Sequence, residues 1–554
     1  MEARVGREPG SPERRRAAAG GPVIRACAAA LLAGVVAAVV GATAGCDAGK
    51  ASSAAAVSRG PRESPRVPPA AATRTPPAVA TVAAQPPLSP AARERVERFC
   101  SACHPLPAPA NFPRLQWPQE VRLGFDLWQA SLRTDLAVPS EAEAIRYFQE
   151  GAPERLDLPR AADRPESAAP LVFERVEPTG MVEQPGPAIA QVTLDGAPSG
   201  GGAAILTTDM RSGEIRRWHL DGSTASSSVV AAGGHPCRLT PVPGAAGRWF
   251  VGDLGSYMPE DHDFGSVAIL EPSGEGAPAA IRPIREGLSR VVEALPIDFD
   301  GTGPADLLVL EFGWRRSGAL RVLLGAGEGG PATGQRVLDP RHGCLAARVV
   351  DLDGDGHADV VAAFAQEHET VDIWYGGTPG APDHRQVHRL PDPSWGSSGL
   401  DVADLDGDGD ADIIHINGDT MDSGLPRANH GIRVLWNDGG RAFRVEEVAV
   451  MPGISQAAAA DLDGDGDQDL VAAAFHPSEG GHPPGTFDSL LWVEKTPEGW
   501  KTHAIERDRC EHAAFALADV DGDGRTDLVA GTFRADPASP RPLLTVWLNR
   551  RRAD

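Results

Sequence analysis

The stretch Asp351-Leu-Asp-Gly-Asp-Gly-His-Ala-Asp-Val-Val361 decides the fold, because the chain repeats it almost unchanged. Close copies begin at Asp404, Asp461 and Asp519, and a weaker copy, DFDGTGPADLL, begins at Asp298. Successive copies start 53, 53, 57 and 58 residues apart. A fixed period of this size indicates a repeat architecture, in which each repeat forms one supersecondary unit.

Each copy has the residue pattern of a calcium-binding loop. In the four close copies carboxylates occupy positions 1, 3, 5 and 9, and glycines occupy positions 4 and 6; at these positions the weaker copy differs only in Thr302 at position 5. Oxygen ligands at alternate positions, on a loop whose glycines permit a sharp turn, suit calcium. The loop is not an EF-hand, because the twelfth position is Ala362 in one copy and Ala472 in another, where an EF-hand has a bidentate Glu. A single loop of this kind would equally suit an acidic hairpin turn, but five in register favour metal binding.

The apolar run after each loop, such as Asp359–Phe364, predicts a buried strand rather than an exiting helix. Loop and strand together resemble the FG-GAP/VCBS repeat family, whose members form β-propellers with calcium between the first two strands of a blade. The resemblance covers about residues 185–550. Two more units without the carboxylates, Gln191–Leu206 and Thr240–Asp253, bring the number of units to seven. The resemblance therefore implies a mainly β fold, a seven-bladed β-propeller with about four or five bound calcium ions.

The expected calcium ligands are the aspartates at positions 1, 3, 5 and 9 of the five acidic loops. They are Asp298, Asp300, Asp306, Asp351, Asp353, Asp355, Asp359, Asp404, Asp406, Asp408, Asp412, Asp461, Asp463, Asp465, Asp469, Asp519, Asp521, Asp523 and Asp527. The first loop should bind weakly, because Thr302 replaces its third carboxylate. The two units without carboxylates should bind no metal.

The N-terminal residues 1–46 have the features of an export signal. Arg14, Arg15, Arg16 and Arg25 precede an apolar run, which ends in Thr43-Ala-Gly-Cys46. This order resembles a bacterial lipoprotein signal with Cys46 as the lipidated residue. The alternative is an uncleaved membrane anchor, since residues 26–45 are just long enough to span a bilayer. Both interpretations predict an extracytoplasmic, membrane-anchored protein in the periplasm or at the cell surface.

Composition and charge restrict the remaining possibilities. Residues 47–90 are rich in Ala, Pro and Ser, which predicts a disordered tether. The net charge of −24 is largely explained by the 21 Asp of the acidic loops, so a nucleic-acid partner is not expected. Cys237, Cys344 and Cys510 lie in three different repeats, and we expect no disulfide framework.

A second motif precedes the repeats. Residues 93–99 predict a short helix that leads into Cys100-Ser-Ala-Cys103-His104, the attachment pattern of a c-type haem. Two thiols at this spacing form thioethers with the haem vinyl groups, and the adjacent His is the proximal iron ligand. A redox disulfide is the competing interpretation, but Pro105 and Pro107 oppose the helix that such a motif should begin. We therefore predict one covalent haem c.

Residues 91–157 resemble a truncated, α-helical cytochrome c domain, with aromatic residues concentrated in a chain otherwise poor in them. No Met, His or Lys occurs between Pro105 and Gly180, so the usual distal ligand is missing. Three arrangements remain open: a five-coordinate iron, ligation by Met181, or ligation by a side chain of the propeller. Residues 158–184 are expected to form a connector, and the helical segment is expected to dock on the propeller near His235, His368 and His430.

Propeller geometry places a further set of polar residues on the face opposite the acidic loops. The candidate ligand face consists of His235, His342, His368, Asp419, Asp422, His430 and His512. These groups have two possible roles: to cap strand ends and bond neighbouring blades, or to bind a ligand, a metal or the haem. No Ser-His-Asp order, nucleotide loop or hydrolase signature accompanies them, so no catalytic residue is assigned.

Three functions are compatible with these features. The favoured one is electron transfer or redox sensing outside the cytoplasm, with a redox protein or a quinone as partner and the membrane reached through the lipid anchor. The second is a surface-binding or adhesion module. The third is an oxidoreductase whose haem accepts electrons from a substrate on the polar face.

Overall fold

The protein is described by a computed structural model. The described residues are 87–164, 171–196, 202–272, 279–301, 305–421, 423–476, 482–534, 536, 538 and 540–551. The expected export signal with Cys46, and nearly all of the expected tether, lie outside these residues.

Seven four-stranded antiparallel sheets form the blades of a β-propeller, as the repeats predicted. In chain order, blade 1 contains β3 (Ile189–Leu194), β4 (Ala203–Asp209), β5 (Glu214–Leu220) and β6 (Ala225–Ala232); blade 2 contains β7 (Pro236–Pro241), β8 (Trp249–Asp253), β9 (Gly265–Glu271) and β10 (Ala280–Leu288); blade 3 contains β11 (Val291–Ile297), β12 (Asp306–Glu311), β13 (Ala319–Leu324) and β14 (Gly334–Asp339). Blade 4 contains β15 (Cys344–Val350), β16 (Asp359–Phe364), β17 (Thr370–Tyr375) and β18 (Asp383–Arg389); blade 5 contains β19 (Ser397–Ala403), β20 (Asp412–Asn417), β21 (Gly431–Asn437) and β22 (Phe443–Val450); blade 6 contains β23 (Ile454–Ala460), β24 (Asp469–Ala474), β25 (Asp488–Thr496) and β26 (Gly499–Arg507). Blade 7 contains β27 (His512–Ala518), β28 (Asp527–Thr532), β30 (Leu544–Arg551) and β1 (Leu171–Val176).

The second strand of each blade explains why the repeats carry apolar runs. In β12, β16, β20, β24 and β28 every residue is buried, because these strands lie inside a sheet whose two sides pack on neighbouring blades. The sequence of such a strand is a continuous apolar stretch, whereas a half-buried strand alternates apolar and polar residues. The large apolar clusters accordingly join side chains from several blades.

The ring is closed by a strand from the N-terminal side of the propeller. β1 pairs antiparallel with β30, with Leu171 opposite Arg551 and Val176 opposite Val546. A smaller two-stranded sheet joins β2 (Glu183–Pro185) to β29 (Pro540–Pro542) in the same region. The sequence predicts a connector over residues 158–184, whereas the structure builds residues 171–176 into blade 7. The sequence does not predict this strand because its partner lies 370 to 380 residues away in the chain.

The helical segment is a small unit with its own apolar core. It consists of α1 (Pro90–Cys100), α2 (Trp117–Ala130), α3 (Glu141–Gly151) and the short 3₁₀ turns Pro109–Asn111 and Ala161–Asp163; a third such turn, Pro393–Trp395, precedes blade 5. Ser89 caps α1, and Ser140 begins α3 with a capping box completed by Glu143. Trp117 stacks on Phe148 with ring centroids 4.0 Å apart. Within the described residues, no helix is both long enough and apolar enough to cross a bilayer.

The innermost strands of neighbouring blades are joined by buried polar groups. Arg238 of β7 pairs with Glu293 of β11 at 2.8 Å, and Arg348 of β15 pairs with Asp401 of β19 at 2.9 Å. Arg348 also lies 4.0 Å from Glu293, so the four charges alternate in sign across blades 2 to 5. Gln191 performs a similar role between blades 1 and 2, since its side chain both donates to and accepts from the backbone of Leu239.

We expect Glu293→Ala to lower the free energy of unfolding by about 3–5 kcal/mol, because it removes the carboxylate from a buried guanidinium. Arg238 is 1% exposed and would be left without its partner. Thermal and denaturant unfolding would measure the loss. The control is Glu286→Ala on the exposed side of blade 2, which should change stability by less than about 0.5 kcal/mol. Equal losses of unfolding free energy in the two variants would show that the alternating charges of the inner strands do not stabilise the propeller.

A second test addresses the closing strand. Consecutive strand residues direct their N–H groups to opposite sides, so the double change Phe173→Pro and Glu174→Pro must remove one donor that faces β30. We expect a melting temperature lowered by several degrees and self-association through the uncovered edge of β30, measured by light scattering. Glu174→Ala is the matched control. A double variant that melts and elutes like the wild type would show that β1 does not close the ring.

Candidate functional site

The acidic loops lie between the first and second strands of blades 3 to 7. In blade 4, for example, β15 ends at Val350 and β16 begins at Asp359, so residues 351–358 form the connection. We call the end of the propeller formed by these five loops the loop face. The other end, where first strands begin and second strands end, is called the opposite face.

In four of the loops three carboxylates converge, with one oxygen from each lying within 4.8 Å of the others. The converging groups are Asp351, Asp353 and Asp355; Asp404, Asp406 and Asp412; Asp461, Asp463 and Asp465; and Asp519, Asp521 and Asp527. Positions 1 and 3 belong to every group, and the third member is position 5 in two loops and position 9 in the other two. Among the described residues, Asp298, Asp300 and Asp306 do not converge in this way, and Thr302 lies outside them.

The loop conformation is held by its own first aspartate. The two carboxylate oxygens of Asp351 accept hydrogen bonds from the backbone N–H groups of Gly354 and Gly356, both at 2.9 Å. These glycines have φ values of 73° and 86°, a left-handed conformation that favours glycine. The same pairs of bonds recur from Gly407 and Gly409 to Asp404, and from Gly522 and Gly524 to Asp519.

The aspartate at position 9 has a structural role that the sequence pattern did not reveal. Asp359 is fully buried, and its oxygens accept from Leu352 N–H at 2.8 Å and from Gly376 N–H at 2.7 Å. It thereby ties the loop to the turn after the third strand. The same pair of bonds recurs at Asp412, which accepts from Leu405 and Asn437, and at Asp527, which accepts from Val520 and Asn549.

Burial of these carboxylates disfavours their ionised form. It raises the pKa of Asp469 to about 7 and the pKa of Asp412 and Asp527 to about 6, and neighbouring loop carboxylates add to the rise while backbone hydrogen bonds oppose it. Burial likewise raises the pKa of Asp359 and Asp306. A cation in the loop would favour the ionised carboxylates and offset the repulsion between them.

Two loops receive an arginine from elsewhere in the propeller. Arg441 donates to Asp353 at 2.7 Å, and Arg550 donates to Asp521 at 2.5 Å and to Asp523 at 3.2 Å. Sequence analysis did not identify these arginines, because they come from outside the repeat motif. They compensate part of the negative charge in the loops that have four aspartates.

In the helical segment, α1 ends at Cys100, and Cys103 and His104 lie in the short turn that follows. Both thiols are free; Cys100 is half-buried and Cys103 is exposed. Burial raises the pKa of Cys100 to about 11. Nδ1 of His104 donates to the carbonyl oxygen of Pro105 at 2.9 Å, which leaves Nε2 as the nitrogen able to bind a metal.

Aromatic side chains surround this turn. Phe99 lies with its ring centroid 5.2 Å from that of Phe125 and 5.6 Å from that of Trp128. The indole Nε1 of Trp128 is buried and has no hydrogen-bond partner among the described residues. The chemistry of the donor set and this unsatisfied donor fit a bound haem, whose propionates are hydrogen-bond acceptors.

The helical segment contacts the opposite face at blade 5, which carries His430, whereas His235 and His368, also named in the prediction, belong to blades 2 and 4. The side-chain amide of Asn111 donates to Asp392 at 2.9 Å and to Ser394 at 2.6 Å. Arg427 is buried, donates to the carbonyl oxygen of Asn111 at 3.1 Å, and lies 4.5 Å from the centroid of the Phe112 ring. Leu425 packs on the helical core. The chain then continues along blade 6, where Ala161 N–H donates to Thr486.

The candidate ligand face is not one site, because the structure separates its members. His430 is fully buried and accepts from Gly453 N–H, while His512 is fully buried beside Glu506 at 2.6 Å. His235 donates to the carbonyl oxygen of Met210, and Asp419 accepts from Met421 N–H. Asp422 lies outside the described residues. These bonds cap strand ends, in agreement with one of the two roles considered from the sequence.

His342 and His368 are the exception, since the structure brings them together with Glu367. Nε2 of His342 donates to Glu367 at 2.9 Å, and Nε2 of His368 lies 4.0 Å from the other carboxylate oxygen. Burial lowers the pKa of His368 to about 4.

A cleft of about 1020 Å³ on the opposite face of blades 6 and 7 was not anticipated. Its walls include Arg509, Arg534 and Arg541, which all lie within 4.0 Å of Glu511. Two of these arginines belong to the long connection between β28 and β30. That connection, residues 533–543, carries no repeat motif, so no local pattern marks the cleft.

Comparison with a family model agrees with the repeat architecture. A family model for the FG-GAP-like repeat matches residues 298–362 and 351–415. A search of curated proteins found no match. Among solved structures, virginiamycin B lyase from Staphylococcus aureus is 12% identical, with a TM-score of 0.41 over 68% of this chain and 99% of the lyase.

Two further solved structures are similar at the same low level. A luciferin-regenerating enzyme is 11% identical, with a TM-score of 0.34 over 55% of this chain and 88% of its own. A nidogen–laminin complex is 12% identical, with a TM-score of 0.31 over 52% of this chain and 90% of the matched chain. These values are too low to support an argument about function. The repeat match and the seven sheets together show that this protein is a β-propeller containing FG-GAP-like repeats.

Proposed function

We propose that the protein is an electron-transfer or redox-sensing module in which a calcium-stabilised propeller presents one covalent haem c. The observation that carries the proposal is the turn at Cys100, Cys103 and His104. It combines two free thiols with an imidazole whose Nδ1 is already committed to the Pro105 carbonyl.

The residues of the helical segment have distinct parts in this proposal. Cys100 and Cys103 hold the haem, His104 is the proximal ligand, and the Pro105 carbonyl fixes the tautomer of the imidazole. A bound haem supplies reversible one-electron chemistry. Arg133 donates to the carbonyl oxygen of Ala102 at 3.1 Å and to the sulfur of Cys103 at 3.4 Å, and so holds the turn between the two thiols.

The propeller acts as a rigid support for this segment. Asn111 and Arg427 connect the helical unit to blade 5 through hydrogen bonds that are at least partly buried. Calcium at the loop face would stabilise the blades without contacting the haem, because the helical unit contacts the opposite face. The cleft on blades 6 and 7 is a candidate surface for a redox protein or quinone partner.

The proposed location is outside the cytoplasm, attached to a membrane. This rests on residues 1–46, whose order of arginines, apolar run and Cys46 is that of a lipoprotein signal. Covalent haem attachment is consistent with such a location.

The second candidate is a surface-binding module. FG-GAP-like repeats and the cleft of about 1020 Å³ favour this function, because a propeller with an open polar cleft is a general binding platform. Under this function the helical segment would be an accessory unit. The third possibility considered from the sequence, an oxidoreductase, has no observation in the described residues that favours it over these two.

We expect calcium to raise the melting temperature, and a chelator to lower it, because each loop concentrates carboxylates that repel one another. At a concentration 100 times the dissociation constant, each ion contributes about 2.7 kcal/mol. Asp406→Asn and Asp463→Asn should each remove about one of the four or five bound ions, as measured by metal analysis after dialysis. Asp221→Asn in blade 1, which has no acidic loop, is the control. Chelator-independent melting would exclude calcium stabilisation.

We expect the wild type, matured in a host that attaches c-type haem, to show a covalent haem stain and a reducible absorbance spectrum. Cys100→Ala or Cys103→Ala should prevent double attachment, and His104→Ala should change the spin state by removing the proximal ligand. Cys237→Ala, which removes a buried propeller thiol, should leave the spectrum unchanged. A wild type without covalent haem would reject the electron-transfer function and leave the binding module.

A further inference from the structure

One cluster on the opposite face differs in kind from the acidic loops. His342, Glu367 and His368 bring two imidazole nitrogens and a carboxylate oxygen within 4.8 Å of one another. His342 precedes β15, and the other two residues lie in the turn between β16 and β17, so all three belong to blade 4. We propose that these three residues bind a divalent transition-metal ion such as zinc.

The donor types select the class of ion. Two imidazoles and one carboxylate suit zinc, iron, nickel or copper, whereas calcium prefers oxygen ligands alone. Three protein ligands leave a coordination position for water or another molecule, as in the open sites of zinc enzymes. The ion would therefore differ from those at the loop face.

The distances between donors are close to those that a metal requires. Ligands at about 2.1 Å in a tetrahedron lie about 3.4 Å from one another. Nε2 of His342 is 2.9 Å from one oxygen of Glu367, and Nε2 of His368 is 4.0 Å from the other. One donor atom of each residue lies within 4.8 Å of the other two, so side-chain adjustments would suffice to bring the three donors to tetrahedral spacing, with the His342 ring proton on Nδ1 instead of Nε2.

The local structure holds the three side chains in place. Gly318 of blade 3 lies so close to His342 that a methyl group there would meet its Cα and Cβ at 2.6 Å. The N–H of Gly343 donates to the carbonyl oxygen of Phe312, and the N–H of Ala365 donates to the carbonyl oxygen of Gly343. These two backbone bonds hold His342 beside the β16–β17 turn. The cluster is thus supported by two blades.

Two further features indicate a role beyond an ion pair. The buried Nε2 of His368 has no hydrogen-bond partner among the described residues, although a carboxylate lies 4.0 Å away. Gln366 and Glu369, which flank the pair Glu367 and His368, have φ values of 64° and 50°. Positive φ in residues other than glycine costs energy and is concentrated at functional sites. The side chains of His342, Glu367 and His368 are 12%, 36% and 21% exposed, so an ion can reach them.

The test is calorimetric titration of Zn²⁺ into the full chain, with calcium in excess to occupy the acidic loops. The parent chain, with Cys100, Cys103 and His104 replaced by Ala so that these donors cannot compete for the ion, should bind one Zn²⁺ tightly. His342→Ala and His368→Ala should each weaken that binding by about 100-fold or more, since even supporting residues of metal sites contribute 10- to 100-fold. His219→Ala, an exposed histidine on blade 1, should bind like the parent chain.

A variant that fails to fold would be recognised by loss of the calcium-dependent melting transition. In that case Glu367→Gln is titrated in place of the histidine variant. The Gln side chain keeps the shape of Glu and can still accept the hydrogen bond from His342, but its amide is a poorer metal ligand. Absence of a tight Zn²⁺ site in the parent chain would overturn the proposal. Equal Zn²⁺ affinity in the parent chain and Glu367→Gln would also overturn it, because the ion would then be bound elsewhere.

Discussion

Closure of the ring is the constraint on which the other features depend. A propeller is stable only if its last blade meets its first, and here β27 lies beside β3 while β1 completes the sheet of β30. The strand that closes the ring follows directly after the helical segment. Closure therefore fixes where the chain enters the propeller. The preceding residues 158–164 run along blade 6, with Leu158 packed in its core and Arg164 paired to Asp488, and this path places the helices against blade 5.

In the blades with acidic loops, a second constraint concerns the aspartate at position 9 of the loop. Its carboxylate is buried where an ionised group is unfavourable, yet its two oxygens organise the loop and the following turn, as at Asp359. The network extends between blades, since the side-chain amide of Asn437 donates to the carbonyl oxygen of Leu352 in the loop of the preceding blade, and Asn549 does the same to Leu462. These bonds join blade 5 to the loop of blade 4 and blade 7 to the loop of blade 6.

The features that sequence predicted are those set by short-range spacing. The hydrogen bonds from Gly354 and Gly356 to Asp351 span three and five residues, so the motif itself contains them. The number of seven blades follows from the five acidic copies and the two units without carboxylates, Gln191–Leu206 and Thr240–Asp253. Long-range features could not be predicted in this way. The strand β1, the pairing of Arg441 with Asp353, and the contact of Asn111 with Asp392 join residues 88 to nearly 400 positions apart, with no local pattern to mark them. The alternating charges of Arg238, Glu293, Arg348 and Asp401 could not be predicted either, since each is a single charged residue within an apolar strand.

The two faces of the propeller have different chemistry because the repeat constrains only one of them. The acidic loops of blades 4 to 7 share their aspartates and glycines, so the loop face is nearly the same in these blades. The connections on the opposite face carry no shared motif and have diverged: blade 4 has paired histidines with Glu367, blade 5 has Arg427 and the helical contact, and blades 6 and 7 have the arginine-lined cleft. The paired histidines of blade 4 thus lie on the face that carries no shared motif. It follows that changes at the loop face should act mainly on stability, whereas changes at the opposite face should alter what the protein binds while the blades remain intact.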